Sequence, residues 1–401
     1  MSSRALNLSD LLVAVDAAPP IAAAEVVGAA LTESVAARAV SFLIADFSGQ
    51  SLLRLSHVGR REGDGALGRE RAEAVPLAGT PHGRALAEQK IVVEAEGGGT
   101  RVFAPVSSRG EAVGALELWL DEEPDEATLA AVSAAAHALA YIVIANRRFT
   151  DLYEWGQRSL PLSLEAEIQH RLLPGSYTCE AGNFTLAGWL EPAGDVGGDT
   201  FDFSLERDTL HLSMTDAMGH TLDAALLATV LVGALRNARR RGVGLAEQAR
   251  IADQALSRYT DDDAFVTGQL VRVDLPSGIA RIVNAGHPAP IRIRGGHAEA
   301  VALDVDPPFA TPMAGDYHVQ ELALEPGDRL VFLTYGMLER NAAAVNVAAV
   351  MTGHRHLHPR EAVQALTREV VEACGGTLLD DATVLCFDWH GEGGQDTASG
   401  S

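Results

Sequence analysis

Aspartates stand at the boundaries of several apolar runs in the C-terminal half of this sequence. The run TLHLSMTD alternates apolar and polar residues and ends at Asp216, and the pair Asp380 and Asp381 directly precedes the run ATVLCFDW. Another aspartate, Asp199, follows two glycines in GDVGGDTFD. Runs of this kind predict strands, so the carboxylates are expected at strand ends, where they converge from distant positions. Such carboxylates suit hard cations such as Mg²⁺ or Mn²⁺. For each aspartate taken alone, an exposed turn is the usual explanation.

One strand end in this half carries a phenol instead of a carboxylate. The apolar run in GDRLVFLTYG predicts a buried strand that ends at Thr334, Tyr335 and Gly336. A phenol with a pKa near 10 is a poor Mg²⁺ ligand at neutral pH. Two interpretations stay open for Tyr335, which is either an ordinary turn residue or a position from which a metal ligand is missing.

The rest of the C-terminal half reads as strands that alternate with two helices. FTLAGWL predicts a strand, EPAGDVGGDTFDF a Gly-rich acidic turn, and GQLVRVDLPSGIARIVNAGHPAPIRI a hairpin that turns at Pro276, Ser277 and Gly278. The two helices are predicted for LDAALLATVLVGALRNARR and HPREAVQALTREVVEA. Residues 392–401 are predicted to form a disordered tail.

The N-terminal half alternates helix-like and hairpin-like segments. Residues 20–40 predict a helix, SFLIADFSGQSLLRLSHVG and RVFAPVSSRGEAVGALELWL predict hairpins, and a long Ala-rich helix follows Asp121. This α/β layout over residues 1–147 resembles a GAF-type sensor domain in its pattern and length. That resemblance implies an unknown small molecule or protein as its ligand. The first cysteine is Cys179, so covalent attachment of a bilin to a cysteine of this domain is excluded.

A helical linker is predicted for residues 148–174. The Ala-rich helix is expected to continue to Pro161, and LSLEAEIQHRLLP predicts a second helix that ends at Pro174. Helices between domains often pair as coiled coils, so a homodimer is expected. The alternative is a connecting helix that packs only on its own domains.

Charge and cysteine content limit the possible partners and compartments. The formal net charge is −23, which disfavours binding to nucleic acid or to an anionic membrane surface. The three cysteines are far apart in the sequence and indicate no disulfide framework, which fits a reducing, cytoplasmic setting. The segment ATLAAVSAAAHALAYIVIA is as long as a membrane span but mostly alanine, and a buried helix is the favoured interpretation.

Taken together and in order, the acidic motifs are specific. GDVGGDTFD, TDAMGH, NAGHPAPIRI, GDRLVFLTYG and DDATVL closely resemble the metal-dependent Ser/Thr phosphatases of the PPM superfamily, in the branch of the sporulation phosphatase SpoIIE and the stress-response phosphatase RsbU. The resemblance implies an α-β-β-α sandwich over residues 175–391. Together with the GAF-like domain and the linker, it implies an α+β protein.

The resemblance also implies roles for individual residues. Asp199 and Asp216 would be catalytic through two bound Mn²⁺ or Mg²⁺ ions, and the metal ligands would be Asp199, Asp216, the carbonyl of Ala217, Asp380 and Asp381. The family has a glycine at Ala217 and a metal-binding aspartate at Tyr335. By resemblance, then, Tyr335 marks a lost ligand, unless a nearby carboxylate such as Glu339 replaces it.

The predicted function is a cytoplasmic Ser/Thr phosphatase regulated by its sensor domain. By resemblance, the substrate would be a phosphorylated anti-sigma-factor antagonist or a similar regulatory protein. The retained aspartates favour an enzyme, although a weak or degenerate one. The main alternative is a pseudophosphatase, inactive because of Tyr335, that binds the phosphoprotein. A pure ligand sensor, whose C-terminal domain serves only in dimerisation, is a further alternative.

Overall fold

The computed structural model describes residues 6–47, 49–59, 73–158, 163–193, 197–219, 222–260, 264–313, 315–338 and 340–391. The predicted tail at 392–401 and the residue Glu339 therefore lie outside the described residues. The chain divides into two compact units, Met1–Pro161 and Leu162–Ser401, which we call the N-terminal and the C-terminal unit. The division falls inside the segment 148–174 that the sequence predicts as a linker.

The N-terminal unit is built on one antiparallel six-stranded sheet with the order β3-β2-β1-β6-β5-β4. Its elements are α1 (Leu8–Ala17), α2 (Ala23–Ser34), β1 (Ala39–Ala45), β2 (Ser51–Gly59), β3 (Ala74–Pro76), α3 (Pro81–Glu88), β4 (Val92–Glu96), β5 (Gly99–Ser108), β6 (Glu111–Leu120), α4 (Glu126–Asn146) and α5 (Leu152–Gly156). Both predicted hairpins are confirmed as β1–β2 and β5–β6. Arg109 and Gly110 form the second turn with positive φ angles of 49° and 79°, as a tight hairpin turn requires.

Different helices pack on the two faces of this sheet. Alternate residues such as Phe42 and Leu116 face α1, α2 and α4 in the main core of the unit. The residues between them, such as Leu43 and Ala115, face α3 through Leu86. Helix α4 is long and apolar enough to cross a membrane by length and composition alone, and 39% of its most apolar window is buried in the unit.

The predicted extension of the Ala-rich helix to Pro161 is wrong. Helix α4 ends at Asn146, whose side-chain amide donates to the Ile142 carbonyl at 2.9 Å and so folds back onto the last turn of the helix. The following segment NRRF lacks an apolar face, and Phe149 is 72% exposed. The short helix α5 is separate from α4.

The C-terminal unit contains two antiparallel sheets. Its elements are α6 (Leu164–Leu172), β7 (Thr178–Glu180), β8 (Phe184–Glu191), β9 (Asp199–Leu205), β10 (Thr209–Ala217), α7 (Leu222–Arg240), α8 (Leu245–Leu256), β11 (Val266–Asp274), β12 (Ile279–Ala285), β13 (Ile291–Arg294), β14 (His297–Ala300), β15 (Gln320–Ala323), β16 (Arg329–Leu333), α9 (Val347–Gly353), α10 (Pro359–Ala373) and β17 (Ala382–Trp389). Sheet I has the order β15-β12-β11-β10-β9, and sheet II has the order β14-β13-β16-β17-β8-β7.

The two sheets pack face to face between two layers of helices. Leu212 and Met214 of sheet I meet Phe332 and Phe387 of sheet II in the central core. The outer face of sheet I packs on α7 and α8, and the outer face of sheet II packs on α9 and α10. This arrangement confirms the predicted α-β-β-α sandwich and the α+β class, whereas the GAF assignment of the N-terminal unit stays a prediction.

Two details of the C-terminal prediction are wrong. The predicted turn around Asp199 contains strand β9, because residues 199–205 pair in register with β10 and alternate their side chains between the two faces of the sheet. The sequence predicted two helices after Phe184, but α8 and α9 are also present. The remaining strands, the hairpin β11–β12 and the helices α7 and α10 are confirmed.

Candidate functional site

Two of the predicted aspartates are direct neighbours across two strands of sheet I. Asp199 begins β9 and pairs with Asp216 near the end of β10. Asp216 continues the alternating series Leu210, Leu212 and Met214, whose side chains lie in the core between the sheets. Cross-strand partners project from the same face of a sheet. The two carboxylates therefore lie at one end of the inter-sheet core.

Sheet II supplies hydroxyl groups to the same place. Thr334 follows β16, and Thr383 lies near the start of β17. Each hydroxyl donates to Oδ2 of Asp199, in both cases at 2.6 Å. In the sequence, Thr334 was predicted only as part of a strand end, and Thr383 was not predicted as a site residue. The usable signal was their spacing, since Thr334 is two residues beyond Phe332 and Thr383 two residues before Leu385, and both of these face the core.

The third converging aspartate is Asp381, which is 2% exposed. Its Oδ1 accepts from the Ala193 amide at 3.0 Å, and its Oδ2 accepts from the Gly198 amide at 3.2 Å and from Gln169 Nε2 at 2.5 Å. Gln169 also donates to the Asp199 carbonyl at 2.8 Å. This glutamine lies in helix α6 and is 1% exposed. It links two of the predicted site residues, and no motif in the sequence marked it.

Asp380 and Ala217 occupy positions beside this cluster. The Asp380 carboxylate accepts from the Asp381 backbone amide at 3.1 Å. The carbonyl of Ala217 lies against Gly198, where a Cβ atom would come within 2.6 Å of the carbonyl oxygen. A side chain at position 198 would therefore separate the two backbones, which explains the glycine before Asp199.

The electrostatics of the cluster are unbalanced. Burial, and then repulsion by Asp216 and Asp381, hold the pKa of Asp199 well above its usual range, and the hydroxyls of Thr334 and Thr383 only partly oppose this. Burial also raises the pKa of Asp381, against the donors that bond to it. Repulsion between carboxylates therefore adds to burial at Asp199. We call Asp199, Asp216 and Asp381 the acidic cluster.

Tyr335 lies across from this cluster and binds sheet I through its hydroxyl. It begins a 3₁₀ turn after β16, and its hydroxyl donates to the Gly286 carbonyl at 3.2 Å. Its ring meets the His287 ring edge-on at 6.3 Å between centroids. The next residue, Gly336, packs against the Asp381 backbone, where a Cβ atom would lie 1.8 Å from the carbonyl oxygen. The backbone of this turn is thus fixed by a close contact with the acidic cluster.

The turn NAGH places neutral polar groups beside the acidic cluster. His287 Nδ1 pairs with the hydroxyl of Thr267 at 2.9 Å, and Thr267 is the cross-strand partner of Asp216. Burial lowers the pKa of His287 to about 3, so its ring is neutral at physiological pH. Asn284 accepts from the His287 amide at 2.9 Å and fixes the turn. These contacts agree with the predicted turn beside the site.

The described residues fit a divalent cation only in part. Among them, no group of three His, Cys, Asp or Glu side chains is arranged to hold a metal ion. Both oxygens of Asp381 and one oxygen of Asp199 already accept bonds from protein donors. The carboxylates of Asp199 and Asp216 lie on adjacent strands and are of the ligand type that a hard cation prefers. This pair of carboxylates therefore fits a cation, and the ligand set of five residues stays a prediction from the sequence.

The comparison with protein families identifies the domain that carries this site. Residues 206–390 match the family described as Stage II sporulation protein E (SpoIIE). The match includes Asp216, Ala217, Tyr335, Asp380 and Asp381, and Asp199 lies just before it.

Solved structures give weaker similarities. The RsbU and RsbW domains of Rv1364c from Mycobacterium tuberculosis share 24% identity at a TM-score of 0.46, over 52% of this chain and 62% of that chain. The phosphatase domain of SpoIIE from Bacillus subtilis shares 19% identity at a TM-score of 0.40, over 53% and 96%. The PP2C domain of SiaA from Pseudomonas aeruginosa shares 20% identity at a TM-score of 0.44, over 51% and 84%. These TM-scores lie below 0.5, so the assignment rests on the family match: residues 206–390 of this chain form a SpoIIE-family domain.

Proposed function

We propose that the C-terminal unit is a metal-dependent protein Ser/Thr phosphatase with a reduced ligand set. The observation that carries this proposal is the acidic cluster, in which three carboxylates converge at one end of the two sheets, so that Asp216 and Asp381 both repel Asp199. Buried like charges are costly unless a cation compensates them. The SpoIIE family match over the same sheets supports the choice of a phosphatase.

The side chains at this site have two roles, which are to hold the cation and to orient its ligands. Asp199 and Asp216 would hold the cation, and the hydroxyls of Thr334 and Thr383 fix the direction of the Asp199 carboxylate. A bound Mn²⁺ or Mg²⁺ ion would supply Lewis-acid chemistry and lower the pKa of a bound water. Gln169 and Asp381 hold the segment before Asp199 in place through hydrogen bonds.

A specific observation favours a second function, a pseudophosphatase that binds a phosphoprotein without hydrolysing it. The Tyr335 hydroxyl bonds to the Gly286 carbonyl, and the buried oxygens of Asp381 are taken by protein donors. A site that keeps two carboxylate ligands binds a hard cation more weakly than a complete one, because Ca²⁺ and Mg²⁺ affinity depends on ligand number and charge. Catalysis and binding are therefore both compatible with these contacts.

The substrate and the regulation follow from the sequence resemblance. We propose that the substrate is a phosphorylated anti-sigma-factor antagonist or a similar regulatory protein in the cytoplasm. The N-terminal unit would act as a GAF-like sensor for a small molecule or a protein, and the chain would work as a homodimer. The sheet of that unit, with helices on both faces, supports a sensor role.

The test is hydrolysis of a phosphoserine peptide across a Mn²⁺ titration. It compares the wild-type chain with Asp216→Ala and Tyr335→Asp, and Asp304→Ala serves as the control because Asp304 is an exposed acid away from the acidic cluster. We expect Mn²⁺-dependent turnover in the wild type and the control, and none in Asp216→Ala.

Two other outcomes would change the assignment. A silent wild type with an active Tyr335→Asp variant would identify a pseudophosphatase whose inactivity traces to one residue. Silence in every variant, together with no Mn²⁺-dependent change in thermal stability, would overturn both the catalytic proposal and the reduced cation site.

A further inference from the structure

Two buried amide side chains lie next to each other on adjacent strands of sheet I. Gln269 of β11 is the cross-strand partner of Asn284 of β12. Side chains alternate between the faces of a sheet along each strand. Val271 and Ile282, each two residues from one of these amides, face the core between the two sheets. Gln269 and Asn284 therefore face that core as well, and their exposed fractions are 1% and 0%.

The turn NAGHP, residues 284–288, fixes the direction of both amides. Nε2 of Gln269 donates to the Pro288 carbonyl at 2.8 Å, and Oδ1 of Asn284 accepts from the His287 backbone amide at 2.9 Å. A backbone carbonyl only accepts and a backbone amide only donates, so flipping either side chain would break its bond. The other end of each amide is therefore assigned as well. Gln269 is left with the acceptor Oε1, and Asn284 is left with the donor Nδ2.

These two remaining atoms are buried, and neither has a hydrogen-bond partner among the residues that the structure describes. The Cβ atoms of cross-strand partners are about 4.5–5.5 Å apart. A donor and an acceptor thus lie side by side at Asn284 and Gln269 without bonding to each other. Buried polar groups in folded proteins are paired in the large majority of cases, because an unpaired one has lost its bonds to solvent. The arrangement therefore indicates a third group between them.

The chemistry of the two atoms restricts what that group can be. It must donate to Oε1 of Gln269 and accept from Nδ2 of Asn284. A metal ion cannot accept from an N–H group, and a fully ionised anion cannot donate to an oxygen. A water molecule does both, and buried waters commonly bridge polar groups that lack other partners. The complete burial of both side chains favours a ligand as small as water.

We propose that an ordered water molecule bridges Nδ2 of Asn284 and Oε1 of Gln269. It would bind β11 and β12 to each other at the point where both amides also hold the turn NAGHP. This turn carries the Gly286 carbonyl that accepts from the Tyr335 hydroxyl. The water would therefore belong to the framework that positions the wall of the site around Tyr335. The proposal rests on the two amides alone and depends neither on phosphatase activity nor on a bound cation.

The first experiment is a crystal structure of the full wild-type chain at a resolution that shows ordered water. We expect a density peak within hydrogen-bond distance, about 2.7–3.2 Å, of both Nδ2 of Asn284 and Oε1 of Gln269. The proposal is overturned if no peak lies between these atoms or if the two amides bond directly to each other. This measurement needs no variant, so it stands even where a core substitution prevents folding.

The second experiment counts long-lived internal waters in solution by oxygen-17 magnetic relaxation dispersion. The test variant is Gln269→Met, which keeps the length of the side chain and removes its polar atoms. The matched control is Gln248→Met. Gln248 is a buried glutamine of α8 that also donates to a backbone carbonyl, that of Val243 at 2.9 Å, but it has no buried unpaired atom.

We expect Gln269→Met to hold one long-lived water fewer than the wild type and Gln248→Met to hold the same number. The proposal is overturned if Gln269→Met keeps the wild-type number. It is also overturned if both variants lose a water, because the loss would then follow from removing any buried glutamine.

Discussion

Each unit of this protein buries a carboxylate among other titratable groups, and the two surroundings have opposite charge balance. In the N-terminal unit, Glu117 of β6 accepts from Arg54 at 3.0 Å and from Arg101, and it pairs with His82 at 3.0 Å. In the C-terminal unit, Asp199 has Asp216 and Asp381 as charged neighbours, and the hydroxyls of Thr334 and Thr383 donate to its side chain.

The pKa directions express this difference. Burial alone would raise the pKa of Glu117, but the hydrogen bonds from His82 and Arg101 and the charge of Arg54 outweigh burial and lower it to about 2. Burial and like charges act together on Asp199 and raise its pKa. The first cluster is complete within the protein and stabilises the fold. In the second, neighbouring carboxylates add to the effect of burial, which is the charge arrangement on which the proposed cation site rests.

The largest expected effect on stability comes from disrupting the cluster around Glu117. Glu117→Gln leaves Arg54 and Arg101 without their shared buried partner, and the lowered pKa corresponds to about 3 kcal/mol of stability. We expect a loss of that size in urea unfolding, with hydrogen exchange of β6 used to assign the transition to the N-terminal unit. Glu94→Gln is the control, because Glu94 pairs with Arg84 at the surface and should cost less than about 0.5 kcal/mol. Equal losses in the two variants would contradict this account.

The cluster around Glu117 also makes the stability of the N-terminal unit depend on pH in the acid range. A carboxyl whose folded pKa is lowered contributes stability above its ordinary pKa, here 4.5, and loses it as the pH falls toward 2. The difference between the wild type and Glu117→Gln should therefore shrink across this window. Unfolding curves at several pH values measure it, and a difference that does not change with pH would mean that the charge of Glu117 is unimportant.

The free energy of unfolding should fall by about 2 kcal/mol when the hydroxyls that orient Asp199 in the acidic cluster are removed. Thr334→Val deletes a bond to the Asp199 carboxylate and also the acceptor of the Thr383 amide at 3.1 Å. Thr383→Val deletes only a bond to Asp199. Thr334→Val should therefore be the more destabilising of the two in urea unfolding. The reverse order would show that the shared acceptor role of Thr334 contributes nothing.

A change of opposite sign, about 1 kcal/mol of stabilisation, is expected for Asp199→Asn without divalent cations. Asparagine keeps an oxygen for the two threonines and removes repulsion with Asp216 and Asp381. The control is Asp202→Asn on the same strand. Asp202 is also buried, but Arg236 and Arg239 bind it at 3.0 Å, so the Asp202→Asn variant should be less stable than the wild type. Thermal unfolding with and without Mn²⁺ measures both. Destabilisation of both variants alike would mean that the acidic cluster is internally balanced.

The sequence predicted these two regions unequally, for physical reasons. The alternation in TLHLSMTD placed Asp216 correctly near a strand end, because only one register of a period of two buries its apolar residues. The apolar run ATVLCFDW placed Asp381 correctly just before a buried strand. Strand β9 was missed because the glycines before it and its own aspartates resemble a turn, whereas its pairing with β10 makes it a strand. The donors Gln169, Thr334 and Thr383 were missed because hydrogen bonds between distant segments leave no local pattern.

The smallest effect is expected for Tyr335→Phe. This variant tests whether the Tyr335 hydroxyl contributes to the acidic cluster. The hydroxyl donates to the Gly286 carbonyl at 3.2 Å, and the ring contact with His287 does not need it. Removing one neutral bond in this half-buried position should cost less than about 1 kcal/mol. A neutral hydroxyl also changes no charge, so the Mn²⁺-dependent shift in thermal stability should equal that of the wild type. If Tyr335→Phe instead changed Mn²⁺ binding as strongly as Tyr335→Asp, the phenol oxygen itself would be a ligand, and the acidic cluster would be less incomplete than its carboxylates indicate.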